Sequence, residues 1–219
     1  MRALALDVDA VLVSGDLTEH GADAEYERVR ELLAPLGAPL HVLAGNHDDR
    51  AALRRHFGLP GSGAEPVQYA ADLGPLRLVV LDSTVPGEDR GELDPGRLAW
   101  LDAELAAGAG TPTVIALHHP PLAIGIAALD RFPLDAASRS ALAEVVGRHA
   151  HVRRLVAGHV HRAVTGELAG RVVVAAPSTY VQARLDFRSQ TLELVAEPPA
   201  LAVHALLDGA LVSHIQPVA

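Results

Sequence analysis

Cysteine does not occur in this chain of 219 residues. Its absence excludes disulfides, thiolate nucleophiles and thiolate-bound zinc, and it suits a reducing, cytoplasmic setting. Aromatic residues are scarce, at 3%, while apolar residues reach 49%, so the core must be built from alanine, valine and leucine. No stretch approaches the ~18 apolar residues of a membrane helix. The opening "MRALALDVD" is interrupted by Asp7 and Asp9, and no small-residue cleavage site follows, so neither a leader peptide nor a membrane span is expected. An excess of basic charge is missing as well. The formal net charge of −9 argues against an extended nucleic-acid surface. Phosphate chemistry stays open, because bound cations invert the local field.

What the chain does contain is a regular alternation. Its length suits one domain over residues 1–219, with a motif-bearing part at 1–162 and a strand-rich part at 163–219. "AVLVSGD", "LHVLAGN", "LRLVVLD", "TVIALHH" and "VRRLVAGH" read as buried strands, each running into a polar or glycine-bearing turn. Helices are predicted between them. One covers 23–34, with Tyr26, Val29, Leu32 and Leu33 at helical spacing. A second covers 94–107, with Asp94 as N-cap and Pro95 at the first helical position. A third covers about 136–149, capped by Asp135. From 163 to 215 short strand-like runs and turns dominate, which suits antiparallel pairing. "GLPGSGAEP" is a loop within the domain.

The chemistry-bearing residues gather at the carboxyl ends of the predicted strands, where open α/β sheets bind ligands. They are Gly15-Asp16, Gly45-Asn46-His47-Asp48-Asp49, His118-His119-Pro120-Pro121 and Gly158-His159-Val160-His161. One such histidine would read as a satisfied core imidazole. Four such turns need a common partner, because buried polar groups cost free energy unless paired. A metal site supplies one. Imidazole, carboxylate and amide ligands without thiolate suit Mn, Fe, Zn, Co or Ni. His159 and His161 stand two apart, so in extended backbone they face one side and reach two neighbouring ions. His20, His41, His56, His149, His151, His204 and His214 fit no motif and read as packing or solvent positions.

The order Gly-Asp, Gly-Asn-His-Asp, His-His-x-Pro, Gly-His-x-His resembles the calcineurin-like metallophosphoesterase superfamily. The flanking text, "AVLVSGDLTEHG", "VLAGNHDD", "ALHHPPL", "LVAGHVHR" and "GELDPGRLAWLDAELA", is most similar to its class III 3',5'-cyclic-nucleotide phosphodiesterase branch, over about residues 9–180. The resemblance implies an α/β fold, a two-sheet αββα sandwich with helices outside. It implies a small phosphoester substrate, a nucleotide, and divalent ions (Mn, Fe, Zn or Co), two in a complete site. Asp16 would bridge ions about 3.5–4 Å apart. Asn46, His118 and His159 would complete the second ion's shell, and His161 would bind the first. His118 is chosen over His119 by its distance from the proline. His47 would contact the phosphate and protonate the leaving oxygen, with His119 also on the substrate side. Asp48 would orient His47, or else serve as a helix-start acid beside Asp49. A homodimer is the expected assembly, with its interface sought in 163–215.

The family pattern opens with Asp-x-His on a first strand, and this chain has no such motif. Asp7-Val8-Asp9 lacks a histidine and stands too close to Asp16 for an intervening helix. "MRALALD" reads as the end of that helix. Roughly 25–40 residues, one strand-helix unit, are therefore expected to precede Met1, with a natural one-metal variant as the alternative.

The implied reaction is hydrolysis of a cyclic nucleotide by a hydroxide held between ions, with no covalent enzyme intermediate. Glycerophosphodiester or phosphomonoester hydrolysis is the alternative within enzymes. A metal-binding scaffold without turnover is the alternative outside them. Loops 58–66, 122–134 and 176–184 would select the leaving group.

Overall fold

The computed structural model describes residues 8–218. The helix end expected over "MRALALD", and with it Asp7, lies outside the described residues. Among the described residues fourteen strands and four α-helices follow one another. β1 (Val11–Val13), α1 (Asp23–Leu33), β2 (Leu40–Val42), α2 (Arg50–Phe57), β3 (Tyr69–Leu73) and β4 (Leu76–Val80) come first. The hairpin β5 (Thr84–Val85) and β6 (Glu88–Gly91) leads into α3 (Pro95–Ala107), β7 (Thr113–Ala116), α4 (Ala136–Arg148) and β8 (Val152–Ala157). β9 (Val164–Leu168), β10 (Arg171–Ala175), β11 (Gln182–Ala183), β12 (Leu194–Val195), β13 (Ala200–Leu207) and β14 (Ala210–Pro217) complete the chain.

Six strands form one sheet in the order β3-β4-β7-β8-β10-β9. Its four inner strands run parallel and its edge strands antiparallel. Parallel strands covered on both faces need near-continuous apolar sequence, which explains why "LRLVV", "TVIA" and "RVVVA" show no alternation. On one face, Val79, Ile115 and Leu155 pack against Leu101 and Leu105 of α3 and Leu142, Val145 and Val146 of α4. On the other, Leu78, Val80, Val114, Ala116 and Val156 meet Leu43, Leu12 of β1 and Leu211 of β14. β1 and β2 form a parallel pair, and Val42 and Ala44 pack outward against Tyr26 of α1 and Ala52 and Leu53 of α2. The layers therefore run helix, sheet, sheet, helix, as expected. Among the described residues no helix is long and apolar enough to cross a membrane.

The five strands predicted for the motif-bearing part stand, as β1, β2, β4, β7 and β8, where the patterning placed them, and Asp94 and Asp135 cap α3 and α4 by accepting amide hydrogens of the first turn. Two helices need a different account. In α1 Tyr26 is buried and Val29 and Leu33 are half-buried, while Leu32 is largely exposed, so the apolar face is narrower than predicted. α2 lacks an apolar period because arginines fill its inner face. Arg50 is 7% exposed and donates to Asp82 Oδ1 and to the carbonyl and hydroxyl of Thr84. Arg54, 6% exposed, donates to the carbonyls of Pro60, Gly63 and Pro66. Burying a charge is tolerable only when its donors are satisfied, and the loop 58–66 folds around Arg54 to do so.

Candidate metal centre

β1, β2, β7 and β8 each end in a turn, and the four turns converge. Their backbones touch. A Cβ on Gly45 would lie 2.1 Å from Asp16 Oδ1 and 2.2 Å from the Asp16 nitrogen, and one on Gly15 would lie 2.4 Å from His118 Nδ1. No side chain fits at either position. Asp16 (φ 54°), His159 (φ 67°) and His161 (φ 46°) hold left-handed conformations without being glycine. Such residues cost on the order of 1–3 kcal/mol each and persist where the surroundings over-determine them.

The hydrogen-bond partners assign each proton. His118 Nδ1 lies 2.7 Å from the Ser14 carbonyl, so Nδ1 donates and Nε2 keeps a lone pair. That Nε2 points at Asn46 Oδ1 (3.0 Å) and Asp16 Oδ2 (3.2 Å). His159 Nε2 donates to the Phe132 carbonyl at 3.0 Å, which leaves Nδ1 as a lone pair facing the same Asn46 oxygen at 3.0 Å. The Asn46 amide donates outward to the Asp89 carboxylate at 3.4 Å, so its oxygen points inward. With His118 neutral, two imidazole nitrogens, one amide oxygen and one carboxylate oxygen thus converge as acceptors. That donor set fits a divalent cation of the manganese, iron, cobalt or zinc group.

The charges agree. Burial opposes ionisation of Asp16, but His118, through its field and hydrogen bond, and the His47 amide at 3.1 Å hold its carboxyl well below the usual carboxylate range. Burial likewise works against an imidazolium at His118, yet Asp16 and the Ser14 carbonyl lift it above the ordinary imidazole value. His159 is pushed down to about 3 by burial and by His118. It stays neutral and ligand-ready.

His161 stands one step back. Burial lowers its pKa, it feels the fields of Asp16 and His118, and its Nδ1 is buried without a hydrogen-bond partner among the described residues. His47 is half-exposed, with Nδ1 3.1 Å from the Glu19 carbonyl.

Two expectations need correction. His118, His119 and His159 each bring a ring nitrogen within 4.8 Å of the others and could together hold an ion, but the hydrogen bonds of His119 do not turn it to the substrate side. Its Nε2 donates to the Asp89 carbonyl (3.1 Å), its Nδ1 accepts from Ser83 Oγ (2.9 Å), and it is fully buried. Burial and its two imidazole neighbours hold its pKa well below the ordinary value. Asp48 does not orient His47. Its oxygens accept from Leu17 N, Thr18 Oγ1, Gly45 N and Tyr26 Oη. Asp49 is the helix-start acid, accepting from Ala52 N at 2.7 Å. Ser83, Asp89 and the Glu19 and Phe132 carbonyls escaped the sequence reading. The polar run Asp82-Ser83-Thr84 at the end of β4 was the signal available for Ser83.

The chain is similar to known proteins. A family model described as calcineurin-like phosphoesterase matches residues 2–163. A probable glycerophosphodiester phosphodiesterase of Arcobacter nitrofigilis is 34% identical over 199 residues, 90% of this chain and 72% of that protein. A cAMP/cGMP dual specificity phosphodiesterase of Mycobacterium tuberculosis is 37% identical over 180 residues, 80% of this chain and 55% of that protein. The 3',5'-cyclic adenosine monophosphate phosphodiesterase of Escherichia coli K12 is 32% identical over 214 residues, 97% of this chain and 76% of that protein.

Proposed function

The chain belongs to the calcineurin-like phosphoesterase family, and on that premise we propose that it hydrolyses a phosphodiester, a 3',5'-cyclic nucleotide, at a centre built on Asp16, Asn46, His118 and His159. One observation carries this reading. Two imidazole nitrogens, an amide oxygen and a carboxylate oxygen converge on a common point, and with His118 neutral all four are acceptors that a cation would satisfy. Divalent ions bound there would supply Lewis acidity toward a phosphoryl oxygen and a lowered pKa for water.

The protein's own groups do the rest. Ser14 and Phe132 carbonyls fix the tautomers of His118 and His159 and aim their lone pairs inward. Asp16, held ionised, contributes the negative charge that retains a cation. His47, tied through Nδ1 to Glu19 and open at Nε2, is placed to give a proton to the departing alkoxide. His161, with a buried free Nδ1, is the residue available to a second ion.

The nucleotide reading draws support from the two relatives named as cyclic-nucleotide enzymes and from the surface. Phe132, Tyr180 and Phe187 are exposed in a chain with only three phenylalanines and three tyrosines. Phe132 gives its carbonyl to His159, and Ala183, in the segment of Tyr180 and Phe187, donates to the His161 carbonyl. Aromatic rings beside a phosphoester site suit a planar base. The Arcobacter relative's name favours glycerophosphodiesters as the second reading. We place the protein in the cytoplasm, consistent with its lack of cysteine. We expect a homodimer, for which exposed Leu185, Leu192 and Leu194 offer an apolar surface within 163–215.

The test is turnover with Mn²⁺ of cyclic AMP, glycerophosphoethanolamine and bis-p-nitrophenyl phosphate. Preference for cyclic AMP supports the proposal. Preference for the glycerol diester moves the assignment to the second reading, and Mn²⁺ binding without turnover of any of them identifies a scaffold.

A further inference from the structure

We propose that Tyr26 is a positioning residue of the metal centre and that it acts through Asp48. The inference rests on Asp16 and Asn46 being ligands. Their two turns come from strands about thirty residues apart in sequence, and no strand pairing joins the turns themselves. Two contacts join them: the His47 amide donates to Asp16 Oδ1 at 3.1 Å, and the Asp48 carboxylate bridges the two backbones. That carboxylate accepts from the amide of Leu17, directly after Asp16, at 3.2 Å and 3.3 Å, and from the amide of Gly45, directly before Asn46, at 2.9 Å. The spacing of the two backbones that carry the ligands therefore depends on where this carboxylate sits.

Tyr26 sets that position. Its hydroxyl donates to Asp48 Oδ1 at 3.1 Å and accepts from the Asp49 amide at 2.9 Å, so both hydrogen-bonding roles are used. It is fully buried and is the one buried residue of α1. Its ring cannot tilt, because His56 stacks on it at 5.3 Å and Phe57 meets it edge-on at 6.4 Å. Thr18 adds a further donor to the same Oδ1 at 3.2 Å. A rigid phenol therefore holds the carboxylate that spaces the two backbones, and α1 is anchored to the site through it.

Tyr69 supplies a matched control, since its hydroxyl also bridges backbone, donating to the Val42 carbonyl (2.8 Å) and accepting from the Val42 amide (3.1 Å), without touching Asp48. The experiment compares Tyr26→Phe, Tyr69→Phe and wild type by Mn²⁺ equilibrium dialysis, thermal unfolding and turnover of bis-p-nitrophenyl phosphate against Mn²⁺ concentration. Loss of such an outer partner typically weakens metal binding about 10–100-fold. Tyr26→Phe should show a loss of about tenfold, with turnover recovered by excess Mn²⁺, while Tyr69→Phe lowers only the unfolding temperature. Equal loss of stability in both variants with unchanged Mn²⁺ affinity overturns the proposal. If Tyr26→Phe does not fold, Thr18→Val decides on the same readouts. Wild type that binds Mn²⁺ but turns over no diester sinks the proposed function and leaves the dialysis as the test of the clamp. Wild type that binds no Mn²⁺ overturns both.

Discussion

His159 Nδ1 and Asn46 Oδ1 face each other acceptor to acceptor at 3.0 Å. The Phe132 carbonyl takes the only proton His159 carries, and Asp89 holds the Asn46 amide hydrogens on the far side. Two lone pairs held this close repel unless a positive charge lies between them. The surrounding fold holds both groups in place, so the repulsion is a preformed demand for a cation.

Metal content follows from that demand. After dialysis, the chain should retain about one ion, since Asp16, Asn46, His118 and His159 converge on one point, and chelator treatment should lower its unfolding temperature through linked binding. Elemental analysis with calorimetry checks this. Two firmly held ions would show that a further acid or a partner chain completes the first site.

The two adjacent histidines should separate cleanly. His118→Gln removes a lone pair aimed at Asp16 and Asn46, whereas His119→Gln alters a ring already satisfied by Ser83 and Asp89. The first variant should lose the dialysis-resistant ion. The second should keep it and lose stability instead, because a buried polar group would be left unpaired, at about 1–3 kcal/mol. Metal retained by His118→Gln and lost by His119→Gln would reverse the assignment.

His47→Ala should lower turnover of poor leaving groups by about 10²–10⁴ while sparing metal content. The loss should shrink for nitrophenolate, which departs without a proton. A uniform loss across leaving groups would restrict His47 to phosphate contact.

Acid should destabilise the protein through His204. Burial, with Arg154 nearby, lowers its pKa to about 4, so between the unfolded value of about 6.5 and about 4 the unfolded chain binds the extra proton. Stability therefore rises with pH across that window and falls on acidification. His204→Asn removes the titration, and the urea midpoint should then change less between pH 6.5 and 4.5. An unchanged slope would assign the acid sensitivity to other groups.

Much of this protein follows from local rules. Apolar β-branched runs mark β1, β2, β4, β7 and β8, Asp94 and Asp135 mark helix starts, and the glycine-bearing turns mark where ligands gather, because each depends on residues near in sequence. The motif order was enough to suggest metal-dependent phosphoester chemistry. Tertiary structure decided the rest. Which of His118 and His119 turns its lone pair inward depends on Ser14 and Ser83, 104 and 36 residues away in the two cases. That Asp48 spaces two turns, that Tyr26 holds Asp48, and that α2 is buried through arginines depend on partners that only folding brings within 3.5 Å. Hydrogen-bond geometry is selected by packing across the sheets, and nothing in the spacing of residues along a strand encodes which distant carbonyl will claim a ring proton.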